Sequence, residues 1–509
     1  VKDRLSRREF LKVLGLLPLT YLSSHIKPSY TTGESGQKLN ILIILFDAFS
    51  AHNISLYGYH RKTTPNIERL ANQAIVYHNH YAAGNFTTPG TASLLTGTYP
   101  WTHRALQINS QVYEKVQTNN IYALFNDYHR ITYSHNQLVN ILQAPFSGDI
   151  NHNKPREDLT LGENKWVSQI FRSDEDAATV SWARAIGKTE AGYASSLFLS
   201  NIFKSLNDRR NERMALDFPL GLPVSSLDNY LLEDAVDWLI SEIKDYPTPF
   251  LGYFHFLPPH APYHTRQEFV GAFENTPIPN PQKPRHPLAR KGRAKREYGL
   301  EIYRQTYDEF ILYVDHEFHR LYQALERAGV TENTIIILTT DHGEMFERDI
   351  LGHTTPSLHD PLLRIPLLIF EPGREERIDI HSNTSAVDLL PTLLYFTGKP
   401  IPPWIEGCVL PPNNSTLENR SIFALDAKTN NPLKPLKSAS AMIIKERYKL
   451  TEYFGYRFLP RGDTLIELFD IDNDYQEMND LYETHPEIVN QLRRELNQRI
   501  QITDEPFQE

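Results

Sequence analysis

Two aspartates and a histidine stand where apolar runs end. The run LNILIILFDAF delivers Asp47, and NTIIILTTDHGE delivers Asp341 and His342. Carboxylates brought together at strand tips repel one another unless a cation lies between them, and a bound divalent metal removes that cost. Mixed oxygen and nitrogen donors suit zinc or manganese and leave calcium and magnesium open. The pair Asp341-His342 also fits a hydrogen-bonded turn. A second stretch, GNFTTPGTASLLTG from Gly84 to Gly97, carries adjacent hydroxyls at the mouth of a helix. Pro89 suits a first helical turn, which makes Thr88 the expected N-cap with Thr87 just outside it. The unpaired N–H groups and positive dipole end of such a mouth attract phosphate or sulfate. A threonine hydroxyl attacks only once a metal or base lowers its pKa, so a cation at Asp47, Asp341 and His342 would be the missing partner. Capping alone would equally account for both threonines.

These residues need strands to carry them. Besides the two runs above, RIPLLIFEPG reads as a third buried strand. Between the strands lie helical patterns, among them TPNIERLANQAI, opened by Pro65, and YDEFILYVDHEFHRLYQALERAG, stopped at Gly329. Alternating strands and helices imply an α/β fold, a large mostly parallel sheet sandwiched by helices, with ligands in the crevice beyond the strand ends. Residues 106–245 hold few strands and many charged helical stretches, such as LFLSNIFKSLNDRRNERMALDF, and read as a helical insertion within a catalytic domain spanning 36–415. The Pro-rich and basic TPIPNPQKPRHPLARKGRAKREYG reads as a surface loop with a solvated charge run. Residues 416–509 change to β-like alternation and close on HPEIVNQLRRELNQRI, a smaller C-terminal α+β domain.

Composition excludes some partners. A formal net charge of −10 over 509 residues gives no basic surplus for nucleic acid. The one cysteine, Cys408, excludes an internal disulfide and a thiolate metal cluster, and reads as a small buried filler. Residues 1–35 carry Arg7 and Arg8 after Ser6, then an apolar run to about Leu22. That pattern is a twin-arginine export signal, which implies the twin-arginine machinery as partner and a periplasmic or extracellular location. No small-x-small cleavage site follows, so the signal could stay as a membrane tether.

The segment TPNIERLANQAIVYHNHYAAGNFTTPGTASLLTGTYPWTH resembles the sulfatase branch of the alkaline phosphatase superfamily, whose nucleophile motif Cys-x-Pro-Ser-Arg-Ala-Ser-Leu-Leu-Thr-Gly is matched from Thr87 to Gly97. ILFDAFSAHNISLYGY, FHFLPPHAPY, TTDHGE, GHTTPSLHDPLLRIPLLIFEPG, SAVDLLPTLLYFTGKPIP and ELFDIDNDYQEMNDL extend the likeness from about Leu39 to Leu481. The resemblance implies Asp47, Asp341 and His342 as ligands of one divalent ion, with Thr87 as the nucleophile that also touches it. It implies His260 as the group that protonates the leaving oxygen, and His353 and His103, with Thr88, as polar contacts to the transferred group. Asp315 and Asp388 match family positions too, but read as helix or cap residues.

Three departures redirect the chemistry that the resemblance implies. Sulfatases convert a cysteine or serine to formylglycine, and Thr87 offers no such route, so no formylglycine is expected. The motif serine is Gly90 and the motif arginine is Thr91, while Ala48 stands where many calcium sulfatases carry a second aspartate. An unmodified threonine is the nucleophile in the lipoteichoic-acid synthase-like and phosphoethanolamine transferase-like branches, through a phospho-threonine. The expectation is therefore an exported metal-dependent hydrolase or transferase of phosphate esters, acting on a small molecule or on a glycan or lipid ester. Two rivals stand beside it: a sulfuric ester hydrolase without formylglycine, and an inactive binder of sulfated or phosphorylated glycans.

Overall fold

The apolar run after Leu39 forms strand β1 (Asn40–Phe46). Its period of two sends Leu42, Ile44 and Phe46 into one core and Ile41, Ile43 and Leu45 into another, so the strand is apolar on both faces. Each of these side chains, fully buried, contributes roughly 1.5–3 kcal/mol. A charge at Ile43 would be stranded without a partner. In this computed structural model residues 38–161, 214, 216–225, 228–277, 283–289, 297–414, 420–457, 459 and 463–508 are described. The signal segment 1–35, most of LFLSNIFKSLNDRRNERMALDF and the basic run 290–296 lie outside them.

Seven further strands join β1: β2 (Ile75–Tyr77), β3 (His129–Ser134), β4 (His152–Asn153), β5 (Phe250–Phe256), β6 (Thr334–Thr339), β7 (Leu367–Phe370) and β8 (Ile378–Ile380). Their order is β8-β2-β7-β6-β1-β5-β3-β4. β1 runs parallel to both neighbours, with Ile43 level with Ile337 on β6 and Tyr253 on β5. Only β7 runs against its neighbours. The expected sheet is therefore present. Residues 106–245 differ from expectation, because β3 and β4 lie within them and pair alongside β5. HRITYS alternates polar and apolar residues near the sheet edge, which hides it from a search for continuous apolar runs.

Helices cover both faces. The long helix α1 (Glu297–Arg327) presses Phe310, Ile311, Val314, Phe318 and Leu321 onto the first core. The helix opening at Thr87, α2 (Thr87–Thr96), and α3 (Leu389–Phe396) cover the second with Leu94, Leu95, Leu390 and Leu393. Pro65 does open a helix, but it stops at Leu70, and Ile75 already belongs to β2. Asp315 accepts hydrogen bonds from the N–H groups of Asn66 and Ile67 at 3.0 and 2.8 Å, and Asp388 completes a capping box with Ser385. Both carboxylates thus serve helix starts.

The Pro-rich stretch expected at the surface is partly buried. Lys283 pairs with Glu347 at 2.7 Å with 2% of its side chain exposed, and His286 is likewise buried. Toward the C-terminus, β9 (Ile422–Asp426), β10 (Ala439–Lys445), β11 (Tyr448–Phe454) and β12 (Thr464–Asp470) form one antiparallel sheet. Helix α4 (Pro486–Asp504) packs Val489, Leu492 and Leu496 on it. Cys408 is half-buried rather than fully enclosed.

Candidate active site

Four neighbouring strands end at one edge of the sheet. Asp47 follows β1, with its N–H donating to Phe256 O at 2.9 Å; Asp341 and His342 follow β6; His255 is the penultimate residue of β5; Asn136 lies just beyond β3. Asp47 Oδ2 accepts from Asn136 Nδ2 at 2.6 Å and from His255 Nε2 at 3.0 Å. Its other oxygen, Oδ1, is buried without a hydrogen-bond partner, 3.4 Å from His342 Nε2. His342 Nδ1–H donates to Gly343 O at 2.9 Å, which fixes the tautomer and turns the Nε2 lone pair toward the carboxylates. Asp341 Oδ2 lies 3.7 Å from that nitrogen.

These atoms fit a divalent ion. The three ligand atoms lie within 4.8 Å of one another, and ligands at roughly 2.1 Å from a tetrahedral ion stand about 3.4 Å apart. Burial opposes ionisation of Asp47, but His260, His255 and His342 outweigh it and hold the carboxyl well below its usual range. Burial likewise opposes charge on His342, while Asp341 and Asp47 push it up to about 9. A second group, His286, His359 and Glu467, is as tightly clustered. The Leu288 N–H donates to His286 Nδ1 at 3.2 Å, so the proton sits on Nε2 and that atom is no ligand.

Thr87 is the first residue of α2, and its Oγ1 lies 3.4 Å from both His342 Nε2 and Asn136 Nδ2. The expected capping pattern is not what forms. Phe86, with φ −154° and ψ 168°, is the N-cap residue, and no side chain caps the helix. Thr88 instead donates to Ile108 O at 2.6 Å, so its hydroxyl is committed to the backbone of a neighbouring loop. Pro89 is then the third helical residue rather than the first, still within the first turn, where its missing N–H costs nothing.

Thr87, His260 and His353 line one cavity of about 780 Å³. The His353 ring centroid stands 4.3 Å from that of His342 and 4.9 Å from that of His260. His260 Nδ1–H donates to Ala261 O at 2.7 Å, which leaves Nε2 as its reactive atom. His353 Nδ1–H donates to Glu344 Oε1 at 3.0 Å. Burial pushes His353 below the ordinary histidine range. Burial also opposes ionisation of Glu344, but His353, His260 and His342 outweigh it and lower its pKa. His103 does not join them. It is fully buried, its Nε2 is 3.0 Å from Ser93 Oγ, and its Nδ1 accepts from Ala105 N–H at 3.1 Å, so both nitrogens are taken up beneath α2.

Sequence reasoning missed three residues here. His255 sits inside an apolar strand, where a lone histidine reads as core; Asn136 follows a strand that was itself hidden; Glu344 stands in DHGE without any spacing that marks it.

The sulfatase family profile matches residues 39–399, and the C-terminal profile of N-sulphoglucosamine sulphohydrolase matches 355–502. The chain belongs to the sulfatase family. It shares with the other sulfatase-family proteins of the alkaline phosphatase superfamily a large mixed sheet and a C-terminal antiparallel sheet. N-acetylgalactosamine-6-O-sulfatase from Bacteroides thetaiotaomicron is 22% identical over 94% of this chain and 97% of its own. Arylsulfatase K from Bos taurus is 24% identical over 52% of this chain, and the match spans only 53% of that relative. The phosphonate monoester hydrolase of Agrobacterium radiobacter superposes with a TM-score of 0.64 at 19% identity, over 91% of this chain and 96% of that one. At that identity the superposition speaks for the fold alone.

Proposed function

We propose that this sulfatase-family chain is a divalent-metal-dependent hydrolase or transferase of phosphate esters that works through Thr87. The observation that carries the reading is the place of Thr87 Oγ1, 3.4 Å from His342 Nε2 on the floor of the cavity, at the position where a formylglycine precursor would otherwise stand. Asp47, Asp341 and His342 would hold the ion, which supplies positive charge against the transferred group and lowers the pKa of a neighbouring hydroxyl.

Thr87, its hydroxyl proton having passed to solvent, attacks phosphorus in line through Oγ, forming the new O–P bond as the bond to the leaving oxygen breaks. His260 Nε2–H gives its proton to that oxygen, so the group departs as a neutral alcohol. The unpaired N–H groups in the first turn of α2 hold the phosphoryl oxygens. His260, now neutral, takes a proton from an entering water; the water oxygen bonds to phosphorus, the Thr87 O–P bond breaks, and the departing Thr87 oxygen takes back a proton from solvent. An alcohol entering in place of water gives transfer. Asn136 Nδ2 and His255 Nε2 keep Asp47 in place throughout.

The second reading is a sulfate ester substrate, which the names of the sequence relatives favour. Side-by-side turnover of 4-nitrophenyl sulfate, 4-nitrophenyl phosphate and an aryl phosphodiester separates the two, together with the intact mass of the Thr87 peptide after a rapid quench. A phosphorylated peptide and a preference for phosphorus esters fit the first; faster sulfate turnover with no labelled peptide overturns it. Arg7 and Arg8 support export of the folded protein. Replacing both with lysine should hold the protein in the cytoplasm, and undiminished export would remove that part of the reading.

A further inference from the structure

The cavity above Thr87 divides by chemistry. Thr87, His260, Glu344 and His353 cluster at one end, and the rest of the wall is dominated by Phe86, Ile108, Leu138, Leu220, Tyr303 and Leu351. Among the described residues that line it there is no lysine or arginine, and its one carboxylate is Glu344. Ile108, Leu220 and Tyr303 are 44%, 43% and 48% exposed, and all three line this cavity. Exposed apolar side chains scattered singly need no explanation, but a group rimming a reactive cavity marks a surface that a ligand covers.

Lys428, a described cation close to this cavity, stands behind its Phe86 wall. Its ammonium lies 5.2 Å over the Phe86 ring, donates to Thr355 O at 2.9 Å and pairs with Asp426 at 3.0 Å, so its charge is already answered. A polyanionic glycan would meet the Glu344 carboxylate and apolar carbon here. An aryl or alkyl group would bury its own surface against the same residues.

We infer that the ester this site takes carries an apolar organic group, an aryl ring or an alkyl chain, seated against Ile108, Leu138, Leu220 and Leu351. The inference rests on the phosphate-ester reading for the identity of the transferred group. When the ester is cleaved at Thr87 with His260 as proton donor, that apolar group leaves as a neutral phenol or alcohol into the open mouth. Recognition of the organic part is then hydrophobic and graded by size rather than set by a second charge.

The test uses n-alkyl phosphonates from ethyl to octyl, whose C–P bond cannot be cleaved, titrated calorimetrically into the metal-loaded full chain. Affinity should rise about two- to four-fold per methylene. Ile108→Ser and Leu220→Ser, both at exposed positions, should flatten that slope by weakening octyl phosphonate far more than ethyl phosphonate, with the thermal melt unmoved. A flat series in the wild type, a slope untouched by either substitution, or tighter binding of a disulfated disaccharide than of octyl phosphonate overturns the inference. The last outcome would point to the adjoining cavity, which shares Leu351 and Thr354 and is lined by Lys428, Lys437 and Arg457. Because binding is read without turnover, failure of the slope is distinct from failure of the Thr87 chemistry, which the quench experiment reads.

Discussion

Gly90 and Asp341 touch so closely that no side chain fits between them: a Cβ at position 90 would stand 3.0 Å from the Asp341 carbonyl carbon and nearer still to its oxygen. The neighbour is backbone, at the tip of β6, and cannot swing aside. The first turn of α2 therefore locks onto the strand end that presents Asp341 and His342, and the loss of the family's motif serine is a packing requirement of this chain. Gly90→Ala should push the turn away, costing about 1–3 kcal/mol of stability. It should also lower metal affinity and turnover together, checked by thermal melts and metal titration. Unchanged metal affinity would show that the contact is not what aligns the site.

Thr87 and Thr88 should separate cleanly. Thr87→Ala removes the attacking oxygen and should cut turnover of an aryl phosphodiester by on the order of 10³-fold or more. Thr88→Ala removes a hydrogen bond to Ile108 O, worth about 1 kcal/mol of stability, and should leave most activity. Steady-state kinetics with denaturant unfolding reads both; the reverse ranking would move the nucleophile to Thr88.

Metal affinity should depend on pH in one direction. Without metal, His342 is pushed up to about 9 by Asp341 and Asp47 against the opposing effect of burial. Metal must displace that proton, so the apparent affinity should fall about tenfold per unit as pH drops below 9 and level off above it. Calorimetric titration in buffers of different ionisation enthalpy should show proton release at pH 7.5. Absence of release would remove His342 from the ligand set.

Acid should destabilise the fold through histidines that are buried neutral. Burial lowers His80, His103 and His135 from 6.5 to about 3. Between these values the unfolded chain binds protons that the folded chain cannot, so the stability these groups contribute is complete above pH 6.5 and is lost as pH falls toward 3. Each adds a slope of about 1.4 kcal/mol per pH unit within that window. Urea midpoints from pH 7 to 4 should fall less steeply for His103→Asn than for wild type; parallel curves would mean that His103 charges freely in the folded state.

The core of the site was legible because its carriers are extreme. β1 and β6 are buried on both faces, so their continuous apolar runs announce themselves, and Asp47, Asp341 and His342 stand out where those runs stop. His260, His353 and the place of Thr87 came through likeness to a family and not through spacing, and the structure brings all three to one cavity. β3 escaped because a strand near the sheet edge keeps polar residues, and Asn136 escaped with it. The start of α2 was placed two residues late because local cap preference is worth about 1 kcal/mol, less than the packing of Gly90 on Asp341 and of Thr88 on Ile108 that decides the matter.

The chain order of residues by itself determined the α/β class, the central apolar strands and the acidic strand tips, since apolar run length is a local property that reports burial directly. Only the tertiary structure decided that His255 and Asn136 share one oxygen of Asp47, that His103 is packed away from the cavity, and that the cavity wall is apolar. Those facts depend on contacts between segments tens to hundreds of residues apart, whose distances no local pattern encodes.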